Sequence, residues 1–222
     1  MDKVDRKDNY LILILHSHNT RERLKAISRS WGQNANILFY ADYSNLLDKV
    51  MQVTKNPNYD SGPEKILNCI KFLPQEHLNY DWYVFCDDDT FLNLNLLEKV
   101  LPSFDKDFVY CDVIKCWEQD PTLEYPSGGA GFAIPNLIFK KLRSESESYA
   151  TRWSDVCIGL NFKKLNIEMK QEGRFHAHPP YKHDLKLYEV PNHLSFHYVN
   201  EEEQKRLHDI CQLPEKIYNL NE

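Results

Sequence analysis

Apolar positions along the chain fall into short blocks separated by polar turns, and the blocks alternate between two periodicities. Residues 10–15 read Tyr-Leu-Ile-Leu-Ile-Leu, an unbroken apolar run of the kind buried on both faces of a parallel sheet. The polar His16-Ser17-His18-Asn19-Thr20 follows. Residues 21–31 then set Leu24, Ile27 and Trp31 on one helical stripe, which Gly32 ends. A second strand is predicted at 37–40, running into Ala41-Asp42-Tyr43. Residues 44–60 have weak periodicity and predict a short helix, a short strand and a loop. Ser61-Gly62-Pro63-Glu64 has the form of a capping box with proline in the first turn, and predicts a helix to about residue 73. Residues 82–86, Trp-Tyr-Val-Phe-Cys, are aromatic and β-branched without helical spacing and predict another buried strand. Beyond Asp87-Asp88-Asp89, residues 91–101 place Leu94, Leu97, Val100 and Leu101 on one face of a helix.

Past residue 101 the pattern changes. A strand is predicted at 108–114, and a loop carrying acids and aromatics at 117–125. The segment 125–131 holds three of the seven glycines, and Phe132-Ala133-Ile134 leads to Pro135, which opens a helix to about residue 142. A Ser/Glu run at 144–148 is a solvated connection. Trp153-Ser154-Asp155 precedes a helix at 156–165, and Arg174-Phe175-His176-Ala177-His178 leads into a polar C-terminal region with His193 and His197. Strand–helix alternation in the first half predicts an α/β layer that takes ligands at its strand ends. One domain over residues 1–222 is expected, with a frayed start over 1–9, a nucleotide-binding half over about 10–101, a second half over about 102–200, and a C-terminal tail at 201–222.

Composition narrows the function. With 13% aromatic residues, little glycine and no repeat, the chain is a folded globule. A net charge of −6 without a basic block argues against nucleic acid and anionic membrane surfaces. An anionic substrate must therefore be held by local cations or a metal. The apolar run at 10–15 is too short to span a bilayer or form a signal core. No Asn-x-Ser/Thr sequon occurs. The expectation is a soluble cytoplasmic protein; a Golgi-lumenal domain with its anchor removed is the alternative. Six cysteines lack the density of a disulfide framework. Cys69, Cys86 and Cys157 read as packed small hydrophobes, while Cys111 and Cys116 could pair or bind zinc.

The chemistry gathers at Asp87-Asp88-Asp89. Three carboxylates at the end of a central strand repel one another, and a hard divalent cation shared with substrate phosphates would neutralise them. The competing readings are a solvated turn, or Asp88 or Asp89 acting as a helix cap.

Six blocks then fall in one order: Arg23-x-x-x-Ile27-x-x-x-Trp31-Gly32, the strand ending at Asp42, residues 81–92 (Asp-Trp-Tyr-Val-Phe-Cys-Asp-Asp-Asp-Thr-Phe-Leu), 127–132 (Ser-Gly-Gly-Ala-Gly-Phe), Asp155-x-x-x-Gly159, and Phe175-His176-x-His178. In these the chain resembles the inverting glycosyltransferases of the β1,3-galactosyltransferase and Fringe type, and most of all Fringe and the core-1 enzymes. The resemblance implies a GT-A fold: α/β, with a mixed, mostly parallel central sheet flanked by helices. It implies Mn2+, with Mg2+ as the alternative, bound by Asp87, Asp89 and His178, with His176 as the fallback imidazole. Asp89 would hold the metal and Asp87 and Asp88 the ribose or the metal's water shell. Asp155 would be the general base, unless it merely caps its helix; Ser154 stands where the family often has a second acid. Arg21, Arg23, Asp42, Lys65 and Asp88 would contact the nucleotide, with a solvated helix face as the alternative for Arg21, Arg23 and Lys65. Gly128, Gly129 and Gly131 would let backbone approach the sugar. Trp117 and Tyr125 lie where an acceptor would stack. The implied partners are a UDP-sugar donor and a glycan or glycoprotein acceptor, in a β1,3-type linkage, with no nucleic acid and no membrane span. A retaining transferase, a nucleotidyltransferase and a non-catalytic UDP- or sugar-binding module are the alternatives.

Overall fold

A computed structural model describes residues 9–117 and 120–213. Strand β1 (Tyr10–Leu15) leads through a one-turn 3-10 helix into α1 (Arg21–Arg29), then β2 (Ile37–Ala41), β3 (Val50–Gln52) and α2 (Gly62–Phe72). Next come β4 (Trp82–Asp87), β5 (Phe91–Leu92), α3 (Leu94–Val100), β6 (Val109–Cys111), β7 (Val113–Trp117) and β8 (Asp120–Pro126). The chain continues with β9 (Phe132–Pro135), α4 (Asn136–Glu145), α5 (Ser154–Leu165), β10 (Met169–Gln171), β11 (Ser195–Phe196) and α6 (Glu201–Gln212).

Seven strands form the central sheet in the order β10-β6-β9-β4-β1-β2-β3. All neighbours are parallel except β9, which runs antiparallel to both β4 and β6. The apolar blocks have no polar face because both faces are covered. Tyr10, Ile12, Ile14, Trp82, Val84 and Cys86 pack on one side with residues of α1, α3 and α6. Leu11, Leu13, Tyr83 and Phe85 pack on the other with α2, α4 and α5. Full burial of each such aliphatic or aromatic side chain contributes about 1.5–3 kcal/mol. β1 and β4 lie side by side with Leu15 opposite Asp87, so their C-terminal ends, and the loops that follow, open on the same edge.

Several predicted features take a different form. No α-helix forms within 44–60; that stretch holds β3 and a 3-10 turn. Ser61 does not cap α2, because its hydroxyl donates backward to the carbonyls of Asn56 (2.9 Å) and Asn58 (2.6 Å), while Glu64 accepts from Thr54. The helix predicted at 91–101 begins later: Phe91–Leu92 is a strand, and Asn93 caps α3 by accepting from Leu96 N–H. The loop predicted at 117–125 is β8, paired with β7 in a hairpin that packs on α5. The polar stretch after residue 200 contains α6, opened by a reciprocal Asn200–Glu203 capping box and docked through buried Leu207 and a Trp31–Gln204 hydrogen bond of 3.1 Å. Cys69, Cys86, Cys111 and Cys157 are buried free thiols, so Cys111 is not in a disulfide. The side chains of Cys116 and Trp117, the first eight residues and residues 214–222 lie outside the described residues. Among the described residues no helix is long and apolar enough to cross a membrane.

Candidate metal and catalytic site

Asp87 ends β4, and the turn after it carries Asp88 and Asp89 to the edge of the sheet. β11 pairs antiparallel with β5, Phe196 opposite Phe91, which lays the next residue, His197, beside the acids. Val199 N–H donates to the Asp89 carbonyl (3.0 Å) and holds that register. His197 Nε2 stands 3.1 Å from Asp89 Oδ1 and 3.9 Å from Asp87 Oδ2. One ligand atom each of Asp87, Asp89 and His197 lies within 4.8 Å of the others, and among the described residues this is the one such cluster.

The donor set suits a divalent cation. Carboxylate oxygens and an imidazole nitrogen together match Mn2+ and its neighbours. Burial raises the Asp87 pKa to about 7; His197 acts against this, and Asp89 and Asp88 add to it. This is a local excess of negative charge to which a cation would be drawn. Burial also acts on Asp89 and His197, but their mutual contact, with Arg23 adding to it for Asp89, holds Asp89 low and His197 high.

The structure does not bring His178 to this cluster. Its side chain is exposed, with its ring 6.2 Å from those of His183 and Tyr198. His176 also lies elsewhere, with Nε2 2.6 Å from His193 Nδ1. The imidazole at the acids is His197. Its signal was the alternation Leu194, Phe196 with polar residues between, a half-buried strand that puts His197 on the face opposite Phe196.

The Asp88 carboxylate has its own set of partners and is not one of the three ligand groups of the cluster. His16 Nδ1 (2.7 Å), Arg23 Nη1 (2.8 Å) and the Thr20 hydroxyl converge on its buried carboxylate. Arg23 also reaches Asp89 Oδ2 at 3.0 Å, so it ties the acid turn to α1. Asp42, just past β2, is buried with Lys65 of α2, whose Nζ donates to Asp42 Oδ1 and to the His16 carbonyl, each at 3.2 Å. His18 contacts Asp42 through its ring and its backbone N–H. Burial opposes ionisation of Asp42, yet His18 and Lys65 outweigh it and bring the carboxyl down to about 2. Arg21 lies over the Tyr43 ring, 4.8 Å from its centre, and Tyr43 OH lies 3.0 Å from His16 Nε2. Thus Arg21, Asp42 and Lys65 line the ends of β1 and β2, one strand over from the acids. His16 and Thr20 were missed as participants; their place directly after an apolar strand was the available signal.

Asp155 sits in the first turn of α5, whose N-cap is Trp153, so it does not cap the helix. Its carboxylate accepts from Val156 N–H (2.8 Å) and, weakly, from Gly128 N–H (3.5 Å), and burial raises its pKa. A Cβ on Gly128 would stand 3.3 Å from Asp155 Cβ, and one on Gly129 would stand 2.0 Å from His197 Cε1. Gly128 therefore lies against Asp155 and Gly129 against His197, so two successive glycines separate Asp155 from the Asp87–Asp89–His197 cluster, and the charge of His197 is felt at Asp155. Gly131, with φ +85°, turns the backbone toward the Phe85 carbonyl.

Residues 15–220 match the family model described as Fringe-like. The chain belongs to the Fringe-like family. This Fringe-like chain is 24% identical over 211 residues to a human beta-1,3-glucosyltransferase, covering 87% of the chain and 40% of that relative's length. Two solved structures share its fold. One is a glycosyltransferase involved in the glycosylation of the major capsid of PBCV-1 (TM-score 0.52, 12% identity, 90% of this chain and 98% of that one). The other is apo-form glycosyltransferase GlyE of Streptococcus pneumoniae TIGR4 (TM-score 0.51, 11% identity, 95% and 62%). The expected GT-A fold, with its mostly parallel sheet between helices, is the one observed.

Proposed function

We propose that this Fringe-like protein is a Mn2+-dependent inverting glycosyltransferase that moves a sugar from a UDP-sugar to a hydroxyl of a glycan or glycoprotein acceptor, in a β1,3-type linkage. The observation that carries the reading is the nearness of Asp155 to the Asp87–Asp89–His197 cluster across Gly128 and Gly129, close enough that Asp155 responds to the charge of His197. Asp87, Asp89 and His197 would hold the metal, with His197 in the role that the family resemblance implied for His178. A divalent cation bound there supplies Lewis-acid neutralisation of the charge on the departing diphosphate.

The remaining work falls to the chain's own residues. The Asp155 carboxylate accepts the proton of the acceptor hydroxyl as that oxygen bonds to the anomeric carbon and the bond to UDP breaks. Attack from the face opposite UDP inverts the anomeric centre, and one carboxylate suffices because no sugar–enzyme bond forms. Partial burial suits the role, since a raised pKa makes Asp155 a better proton acceptor. Gly128 and Gly129 leave room for the Asp155 and His197 side chains, which a Cβ at either glycine would crowd. Arg21, Asp42, Lys65 and His18 are placed to receive the nucleoside at the strand ends, while Asp88, fully engaged with His16, Thr20 and Arg23, fixes the acid turn instead of touching nucleotide. Incubating the protein with Mn2+, a panel of UDP-sugars and a panel of aryl glycosides as hydroxyl acceptors, then assigning the anomeric configuration of the new glycosidic bond by NMR, tests the reading. Release of UDP from one sugar donor with a β-anomeric product from an α-linked donor is expected; a retained anomer would sink the inverting mechanism, and no UDP release from any donor would sink the enzyme.

A further inference from the structure

Four of the nine histidines fall at residues 176, 178, 183 and 193, and the sugar-transfer reading uses none of them. They sit in the connection 172–194 between β10 and β11, whose regular structure is limited to one-turn 3-10 helices at Pro180–Lys182 and Val190–Asn192. A connection that long is uncommon in a compact domain without a device to hold it. Its ends are pinned: Leu194 N–H donates to the Arg174 carbonyl (2.8 Å), and Asn93 Nδ2 reaches the carbonyls of Pro191 (2.9 Å) and His193 (3.2 Å).

Three imidazole rings pack together inside it, without all three bringing nitrogens within 4.8 Å of one another. His176 Nε2 lies 2.6 Å from His193 Nδ1. The His183 ring centre is 4.3 Å from that of His176, and that of His193 is 4.6 Å away. Phe196 stacks flat on His176, 5.1 Å between centres and 7° between planes, fixing the ring from behind. His183 Nε2 is buried without a hydrogen-bond partner. Buried polar atoms left so are few in folded proteins, and each asks for an explanation.

We propose that His176, His183 and His193 form a second metal site, one that takes a nitrogen-preferring transition ion of the Zn2+ type. All-imidazole donors favour Zn2+, Ni2+ or Cu2+ over Mn2+, which prefers oxygen. The two sites would thus sort metals by donor chemistry. In a tetrahedral site with Zn–N of 2.0–2.1 Å, ligand nitrogens stand about 3.3 Å apart. The His176–His193 pair reaches that spacing by opening ~0.7 Å as the ion replaces the shared proton, and a rotation of His183 brings in its unpartnered nitrogen. Water or His178, whose ring lies 6.2 Å from that of His183, completes the shell. The His176 carbonyl accepts from the His197 N–H at 3.1 Å, so an ion here would also stiffen the strand that presents His197.

Equilibrium dialysis of the intact chain with Zn2+ alone tests the site without any activity readout. Wild type, Asp89→Asn and His183→Asn are compared. The Asp89→Asn protein should still retain one Zn2+, and His183→Asn should lose at least ~10-fold in affinity for it. Undiminished Zn2+ binding by His183→Asn, or its complete loss in Asp89→Asn, would overturn the proposal. Should His183→Asn fail to fold, X-ray absorption on Asp89→Asn loaded with one Zn2+ decides. Scattering from two or more imidazoles supports the site, whereas one imidazole or none removes it. Because no sugar donor is present, either result leaves the transferase reading standing on its own test.

Discussion

Gly129 lies against His197 so closely that a Cβ on the glycine would stand 2.0 Å from the ring carbon Cε1. The glycine is therefore a spacer for the imidazole, which in turn leans on Asp89 at 3.1 Å. Gly129→Ala should push the ring off the acids. The expected outcome is a protein destabilised by about 1–3 kcal/mol, the usual cost of overpacking, that gains no thermal stabilisation from Mn2+ plus UDP. Melting curves with and without the two ligands check both parts.

His197 and His178 separate cleanly by substitution. His197→Ala should weaken Mn2+ binding by at least ~10-fold, the order expected when metal coordination is disturbed. His178→Ala, at an exposed ring outside the cluster, should leave it unchanged. Free Mn2+ measured by electron paramagnetic resonance during titration reads the difference directly.

Asp155→Asn should lower kcat by about 10²–10⁴, the range for removing a general base. Its UDP- and Mn2+-dependent thermal shift should persist, because Asp155 is not among the three groups at the metal cluster. Loss of the shift together with kcat would assign Asp155 to binding instead.

Asp42 makes stability depend on pH. Its carboxyl titrates at about 2 in the folded protein against an ordinary value of 3.8, under the influence of His18 and Lys65. A depressed carboxylate contributes stability that is complete above its unfolded value and fades as pH falls toward the folded one. Asp42→Asn should cost about 2 kcal/mol at pH 7, and its deficit should close as pH drops from about 4 to about 2. Urea unfolding of both proteins across that range measures the gap.

The inner strands and most of the helices were legible because their apolar runs are long and covered on both faces. β1 is the clearest instance: Tyr10 to Leu15 alternates between two cores, so no position could be polar. The acid turn was legible for the opposite reason, as charge placed where a buried strand meets the surface, whereas Asp155 was singled out by the family resemblance. What escaped had weak local signals and strong distant partners. β8 reads as Asp-Pro-Thr-Leu-Glu-Tyr-Pro and becomes a strand only by pairing with β7. Helix α6 begins with three glutamates and shows its purpose only through Gln204 on Trp31 and Leu207 in the core. His197 was passed over in favour of His178 because a two-residue strand, β11, chooses between them, and its register comes from β5 far upstream.

That two-stranded ribbon has a consequence for how the molecule is made. β5 (Phe91–Leu92) is synthesised well before β11 (Ser195–Phe196), so the acid turn emerges from the ribosome long before its imidazole. A nascent chain, or a fragment cut ahead of β11, should form most of the large sheet and still be unable to assemble the Asp87–Asp89–His197 trio. That cluster should thus arrive late, with the closing of a non-local contact.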